Sequence, residues 1–200
     1  MEWKYMTIER EYGSGGTEIA RLLSAQTNTP CYGREILEEV SREQNIPVEQ
    51  IEDYEETVTN SFLYSIFIMS QAAAGSSDML SQDGHIYLAE QDVIRKFASE
   101  GPAIFLGHCA IEALRDRSNV VTVFIRCSDE NAKRLRTINK YGIPVSQADS
   151  TRKKFDKKRA NYYSVNTGRK WDDYTNYDIV LDSGKLGIDG CVEMLKALRG

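Results

Sequence analysis

A chain of 200 residues with 41% hydrophobic and 28% charged side chains has the composition of one globular domain with room for an inserted subdomain, which excludes a disordered protein. The net charge of −5 is unevenly spread: residues 152–159 hold six Lys/Arg against one acid, a +5 octad on a remainder of −10. A general nucleic-acid binder spreads basic charge over a face, so nucleic acid is not an expected partner, and the octad suits a clamp for a small polyanion.

The first predicted strand, Tyr5 to Ile8, leads through Glu9, Arg10, Glu11 and Tyr12 into Gly13-Ser14-Gly15-Gly16-Thr17. A helix follows, with Ile19, Leu22 and Leu23 on one face. Strand, glycine loop and helix together make an anion cradle. Glycines let successive N–H groups turn toward one point, and the helix N-terminus adds its positive dipole end there. In the phosphate-loop pattern G-x-x-x-x-G-K-[ST], Gly15 takes the second glycine position and Thr17 the hydroxyl that holds magnesium. Arg10 stands at the first glycine position and Gly16 at the lysine's, so the cation is missing from its usual place. From these residues alone a glycine-rich turn before an ordinary helix reads equally well.

A second strand, Pro30 to Tyr32, ends at Gly33-Arg34, and Arg34 to Gln44 reads as a helix carrying Ile36, Leu37 and Val40. Pro47 fits a helix first turn, continued by Val48, Ile51, Tyr54 and Val58. Phe62, Ile66 and Met69 form a further stripe, but the apolar run from Phe62 to Ala74 is too short and too interrupted to span a bilayer. Residues 75–84 read as a loop, and Ile86, Val93, Ile94 and Phe97 mark the next helix. A third strand, Ala103 to Leu106, precedes Gly107-His108, and a fourth covers Val120 to Arg126. Ser128 is the predicted cap of a helix with acids in its first turn and Lys133, Arg134, Arg136 and Lys140 later, a polarity that suits the helix dipole. Gly142-Ile143-Pro144 breaks that helix and Ser146 opens the basic one. The last strand, Tyr177 to Leu181, precedes Asp182-Ser183 and a closing helix with Ile188, Val192 and Leu195.

Five strands alternating with helices imply a parallel α/β sheet, whose ligands sit beyond the carboxyl ends of the strands. Gly13 to Thr17, Gly33-Arg34, Gly107-His108, Arg126 and Asp182-Ser183 all fall there. Arg152, Asp156 and Arg159, spaced i, i+4, i+7, would share one helix face, where two guanidiniums held by a carboxylate make a fork for phosphate oxygens. A solvated charged face is the plainer alternative. Arg34 is placed to meet a second phosphate-bearing substrate or to form a helix-start ion pair, and His108 is a candidate anion contact or a structural histidine. The four cysteines are scattered without metal-site spacing, and the N-terminus lacks a signal-peptide pattern. A reduced, cytoplasmic protein without membrane association is expected.

Taken together, Ile8 to Gly16, Tyr32-Gly33-Arg34-Glu35-Ile36-Leu37, Gly107 to Ala110, Asp156 to Tyr163, Thr167 to Trp171, Asn176-Tyr177-Asp178 and Ser183 to Gly187 resemble the cytidylate kinase-like family. The resemblance implies an α/β P-loop NTPase fold: a five-stranded parallel sheet flanked by helices, with a helical monophosphate-binding insertion and a basic lid. As one domain, its core would cover about 1–44, 85–127 and 172–200, its insertion about 45–84 and its lid about 128–171. The implied reaction moves the γ-phosphoryl group of ATP, with Mg2+, to a nucleoside monophosphate such as CMP or dCMP. Gly13, Ser14, Gly15, Gly16 and Thr17 would hold the donor phosphates, Thr17 the magnesium, and Arg34 and His108 the acceptor. Arg152 and Arg159 would reach in from the lid with Asp156 orienting them, and Arg10 is the candidate replacement for the lysine that true cytidylate kinases have at position 16 and the wider like-family commonly lacks. The family usually has Asp where Gly33 stands and Arg where His108 stands, which leaves open another metabolite acceptor or a non-catalytic nucleotide-binding role.

Overall fold

The computed structural model describes residues 3–51 and 82–198. Its sheet is five-stranded and all-parallel: β1 (Tyr5–Arg10), β2 (Cys31–Tyr32), β3 (Ala103–Leu106), β4 (Val120–Arg126) and β5 (Ile179–Asp182), in the order β2-β3-β1-β4-β5. The strand that carries the glycine loop is therefore central. It is paired on both sides, with Ile8 opposite Leu106 and Val123.

Helices α1 (Gly16–Thr27), α2 (Arg34–Gln44), α3 (Gln82–Glu100), α4 (Ala110–Ala113), α5 (Glu130–Tyr141), α6 (Ala148–Thr167) and α7 (Ser183–Ala197) flank the sheet. Successive strand residues face opposite ways, so each face has its own core. On one face Tyr5 and Phe105 pack with Ile36 and Val40 of α2 and Val93 and Ile94 of α3. On the other, Met6, Ile8 and Val123 pack with Ile19 and Leu23 of α1 and Val192 and Leu195 of α7. A third cluster joins α6 to β4 through Tyr163, Phe124, Trp171 and Tyr177, the Phe124 and Trp171 rings meeting edge to face at 5.1 Å.

Several predicted boundaries move. The first strand runs two residues beyond Ile8, because Glu9 and Arg10 stay in register with Phe124 and Ile125. The last strand begins at Ile179 rather than Tyr177; before it, Asp178 accepts hydrogen bonds from both the N–H and the hydroxyl of Thr122 at 2.8 Å. Asp129, not Ser128, caps α5, its carboxylate accepting from Ala132 N at 2.9 Å. Ser146 sits in a short 3₁₀ turn, Val145–Gln147, and the basic helix opens at Ala148. Gln82-Asp83-Gly84, predicted as loop, begins α3. The predicted stripe Phe62, Ile66, Met69, with Tyr54, Val58 and the loop from Gly75, lies outside the described residues. All four cysteines are free, and among the described residues no helix is long and apolar enough to cross a membrane.

Charge ties α2 to α3. Lys96 reaches Glu39 and Glu43 at 2.6 Å each, and Arg42 also donates to Glu39. Those hydrogen bonds, Arg42's first, hold the Glu39 carboxyl down at about 2. A carboxylate depressed in the fold contributes stability that is present above its ordinary range near 4.5 and is lost as pH falls toward 2. Denaturant titrations at stepped acidic pH should show a shallower loss of stability for Glu39→Gln than for the parent. Identical pH slopes would rule the tie out as an acid-sensitive contact.

Candidate functional site

The glycine loop joins the end of β1 to α1 and is held from outside. Gly13 and Gly15 adopt φ of 78° and 83°, conformations open to glycine. A Cβ on Gly13 would also lie 2.9 Å from the backbone oxygen of Lys133 in α5. Gly13→Ala should cost about 1–3 kcal/mol, the range for a residue forced into such backbone, and lower the thermal midpoint. An unchanged midpoint would mean the loop is free to repack. Arg136 donates to Gly13 O, Ser183 Oγ donates to Ser14 O at 2.6 Å, and Ser14 Oγ donates to Glu11 O at 2.8 Å. Glu11 in turn accepts from Cys127 N at 2.8 Å and from the buried Lys133 Nζ at 3.2 Å. Among the described residues no group accepts from the N–H of Gly13, Gly15 or Thr17. Their donors, at a helix N-terminus, are left for an anion.

Arg10 ends β1 beside this loop. A Cβ on Gly16 would stand 2.5 Å from Arg10 Cβ and 2.9 Å from its Cγ, while one on Gly107 would stand 2.5 Å from its Nη1. The arginine stem thus fills the volume that a side chain at position 16 would need, and its guanidinium extends across to Gly107. Its Nε is buried without a hydrogen-bond partner among the described residues. Arg159 of α6 lies alongside, donating from Nη1 to Arg10 O at 2.9 Å, with its guanidinium over the Tyr12 ring at 5.6 Å. Burial first, then the charge of Arg10, pushes Arg159 down to about 10, which leaves it a cation at neutral pH. Asp156 stands 3.8 Å from Arg159 and accepts Tyr12 N at 2.6 Å. Burial raises the Asp156 carboxyl above its ordinary range, against the opposing effect of that hydrogen bond. With Phe155 stacked on Tyr12 at 4.8 Å, α6 is docked onto the loop.

Two cavities meet at these arginines. One, about 180 Å³, is lined by Gly13, Gly16 and Thr17 of the loop with Tyr12 and Tyr141. The other, about 460 Å³, is lined by Arg34, His108, Lys158, Phe155, Tyr162 and Tyr163 among others. Arg10 and Arg159 line both. Among the described residues the larger cavity gathers Arg10, Arg34, Lys158 and Arg159 against one lining acid, Glu9, whose carboxylate accepts from the Trp171 indole at 3.1 Å. Beneath it, fully buried Glu90 accepts the Tyr162 hydroxyl at 2.6 Å and lies 3.3 Å from His108 Nδ1.

The structure therefore brings together Arg10, Gly13 to Thr17, Arg34, His108, Asp156 and Arg159. It does not bring in Arg152, whose guanidinium reaches Glu130 at 2.9 Å and Asp149 at 3.0 Å in a separate recess with Asn131, Arg134 and Lys153. The expected fork of Arg152 and Arg159 about Asp156 is replaced by a pair made of Arg10 and Arg159. Asp182, at the end of β5, caps α7 through Gly184 N at 3.0 Å, accepts Ser128 N at 2.8 Å and faces Arg126, so its carboxylate is engaged in the fold. Lys133, Lys158, Tyr162 and Glu90 escaped the sequence reading as site residues. For Glu90 a signal existed, since it continues the apolar stripe of Ile86, Val93 and Phe97.

Among the described residues no group of three or more His, Cys, Asp or Glu could hold a metal ion. The loop still fits a cation brought in with phosphates. Thr17, on the first turn of α1 and lining the smaller cavity, would supply one hydroxyl oxygen, and magnesium sites commonly draw their other ligands from phosphate and water.

Residues 5–185 match the family described as the cytidylate kinase-like family. A solved structure, an uncharacterized protein from Eubacterium ventriosum ATCC 27560, is 26% identical, with 98% of this chain and 97% of that one covered at a TM-score of 0.71. A shikimate kinase from Bacteroides thetaiotaomicron is 14% identical, with 97% of each chain covered at a TM-score of 0.50, a likeness of fold. No curated protein sequence matches this chain. The all-parallel five-stranded sheet with its glycine loop is a P-loop NTPase-like fold.

Proposed function

The chain belongs to the cytidylate kinase-like family, and from that premise we propose that it is a small-molecule kinase that moves the γ-phosphoryl group of ATP to an anionic acceptor, with CMP or dCMP the first candidates. The observation that carries this reading is that Arg10 and Arg159 line both cavities. A donor held by the glycine loop and an acceptor in the larger cavity would meet at the two guanidiniums.

Phosphoryl transfer needs in-line positioning and neutralisation of charge more than covalent chemistry. The N–H groups of Gly13, Gly15 and Thr17 bind donor phosphate oxygens, and magnesium, held in part by the Thr17 hydroxyl, supplies charge neutralisation when bound. Arg10 and Arg159 face the group in transit, where a fixed cation in a site shielded from water is worth most. Arg34 and Lys158 hold the acceptor's phosphate. Asp156 keeps α6 against the loop, so that the helix covers the reacting centre and excludes water.

ATP consumption by the pure protein with Mg2+, over a panel of nucleoside monophosphates and a no-acceptor control, tests the reading. ADP formation that depends on the acceptor and is strongest with CMP or dCMP is expected. One observation favours a second acceptor class: the cavity wall carries His108 backed by Glu90 instead of the family's arginine. ATP binding without turnover on any monophosphate would move the reading to another metabolite or to a nucleotide-binding role without chemistry.

A further inference from the structure

Glu90 is a carboxylate with 0% exposure, placed beneath the larger cavity by the buried face of α3. It joins two lining residues from different parts of the fold: His108, just after β3, and Tyr162, on α6. An ionised carboxylate only accepts, so with Glu90 ionised the hydrogen between Glu90 Oε2 and His108 Nδ1 belongs to the imidazole, as the one on the other contact belongs to the Tyr162 hydroxyl. The neighbouring Gln91 donates from Nε2 to His108 O at 3.0 Å. Gly107, His108 and Cys109 have successive φ values of 83°, 55° and 50°. Such a run is sustained only where the surroundings hold it. Here two consecutive residues of α3 do so.

The cavity is polarised in consequence. Arg10 and Arg159 belong to both cavities, whereas His108 and Tyr162 line only the larger one. A phosphate brought to His108 and Tyr162 would face the charge of Glu90 behind them. A hydroxyl or amino group would instead find hydrogen-bonding partners of fixed orientation, backed by a charge that opposes an anion.

We propose that Glu90 is a specificity-determining positioning residue: by holding His108 and Tyr162 from beneath, it makes their part of the cavity a seat for an uncharged hydroxyl- or amine-bearing portion of the acceptor and leaves the acceptor's phosphate to the arginines. The proposal rests on the reading of the larger cavity as the acceptor site. It adds a discrimination that a uniformly basic pocket lacks.

The chain has two histidines, His85 and His108, so the His108 ring is followed by proton NMR once His85→Gln has assigned the signals. Glu90→Gln keeps the shape and removes the charge, while Glu9, Arg10, Arg34, Lys158, Arg159 and Tyr162 still face the ring's cavity. The expected result is a His108 titration midpoint lower in ligand-free Glu90→Gln than in the ligand-free parent, since removing an opposite charge this close disfavours the imidazolium. In calorimetry, Glu90→Gln should weaken CMP binding about tenfold and leave inorganic phosphate binding unchanged, and Tyr162→Phe should weaken CMP in the same direction. Equal weakening of CMP and phosphate, or no weakening of either, would overturn the proposal. Should Glu90→Gln not fold, Tyr162→Phe decides it by the same comparison. A parent protein that binds phosphate but not CMP defeats the nucleotide reading instead, and the tie is then judged by NMR, where an unmoved His108 midpoint rejects it.

Discussion

Arg10→Ala is expected to lower phosphoryl transfer by about 10²- to 10³-fold or more, the usual consequence of removing a fixed cation from the group in transit. ATP affinity should change little, because the loop N–H groups remain. Arg10 is rooted on a strand paired on both sides, its stem over Gly16 and its guanidinium at the junction of the two cavities. That geometry packs the arginine stem where a side chain at position 16 would start and carries its charge on to Gly107. Single-turnover rates with ATP and CMP, beside calorimetric ATP binding, separate the two effects. A rate within a few-fold of the parent's would remove Arg10 from the role. Arg10→Lys should recover part of the rate, since lysine restores the charge without the fork.

Arg159→Ala should be comparably damaging, whereas Arg152→Ala should act on stability. Arg159 shares both cavities with Arg10 and is already disfavoured as a cation by burial and by that neighbour. An anion between the two relieves their repulsion, so losing Arg159 should weaken both acceptor capture and transfer. Arg152 is instead fixed by Glu130 and Asp149, which are largely exposed, so its loss should lower the thermal midpoint modestly and leave the rate near that of the parent. The decisive comparison is rate against melting temperature for the two variants. If Arg152→Ala abolished transfer with an unchanged midpoint, Arg152 would have to leave its ion pairs and join the site when substrates bind.

The sheet was legible because buried parallel strands are short apolar runs, and Tyr5 to Ile8, Ala103 to Leu106 and Val120 to Arg126 are such runs with glycine or polar residues after them. The end of β1 was not, since Glu9 and Arg10 look like loop residues; they pair in the ladder because β4 is long enough to carry them. Periodicity placed Arg152, Asp156 and Arg159 on one helix, but it cannot say how that helix is rolled against the loop. Asp156 and Arg159 turn toward Tyr12 and Arg10, and Arg152, two turns away from Arg159, meets α5 instead. Glu90 was hidden for a different reason. Its place in the stripe of Ile86, Val93 and Phe97 pointed to burial, but a lone acid in a helix reads as solvent-facing until its partners His108 and Tyr162, distant in the chain, are known.

The close approach of Arg10 to Gly16 also constrains how this protein can change by descent. Restoring a lysine at position 16 while Arg10 remains would drive a Cβ to within 2.5 Å of the arginine's own Cβ, a strand-rooted atom with little freedom to retreat. Removing the arginine first would leave the loop without either cation. On the reading of Arg10 as the lysine's replacement, both single-step intermediates would be impaired, so the arrangement would be hard to reverse one residue at a time. The absent lysine would then be a trait that persists through drift, and a functional search keyed to that lysine would pass over a chain built this way.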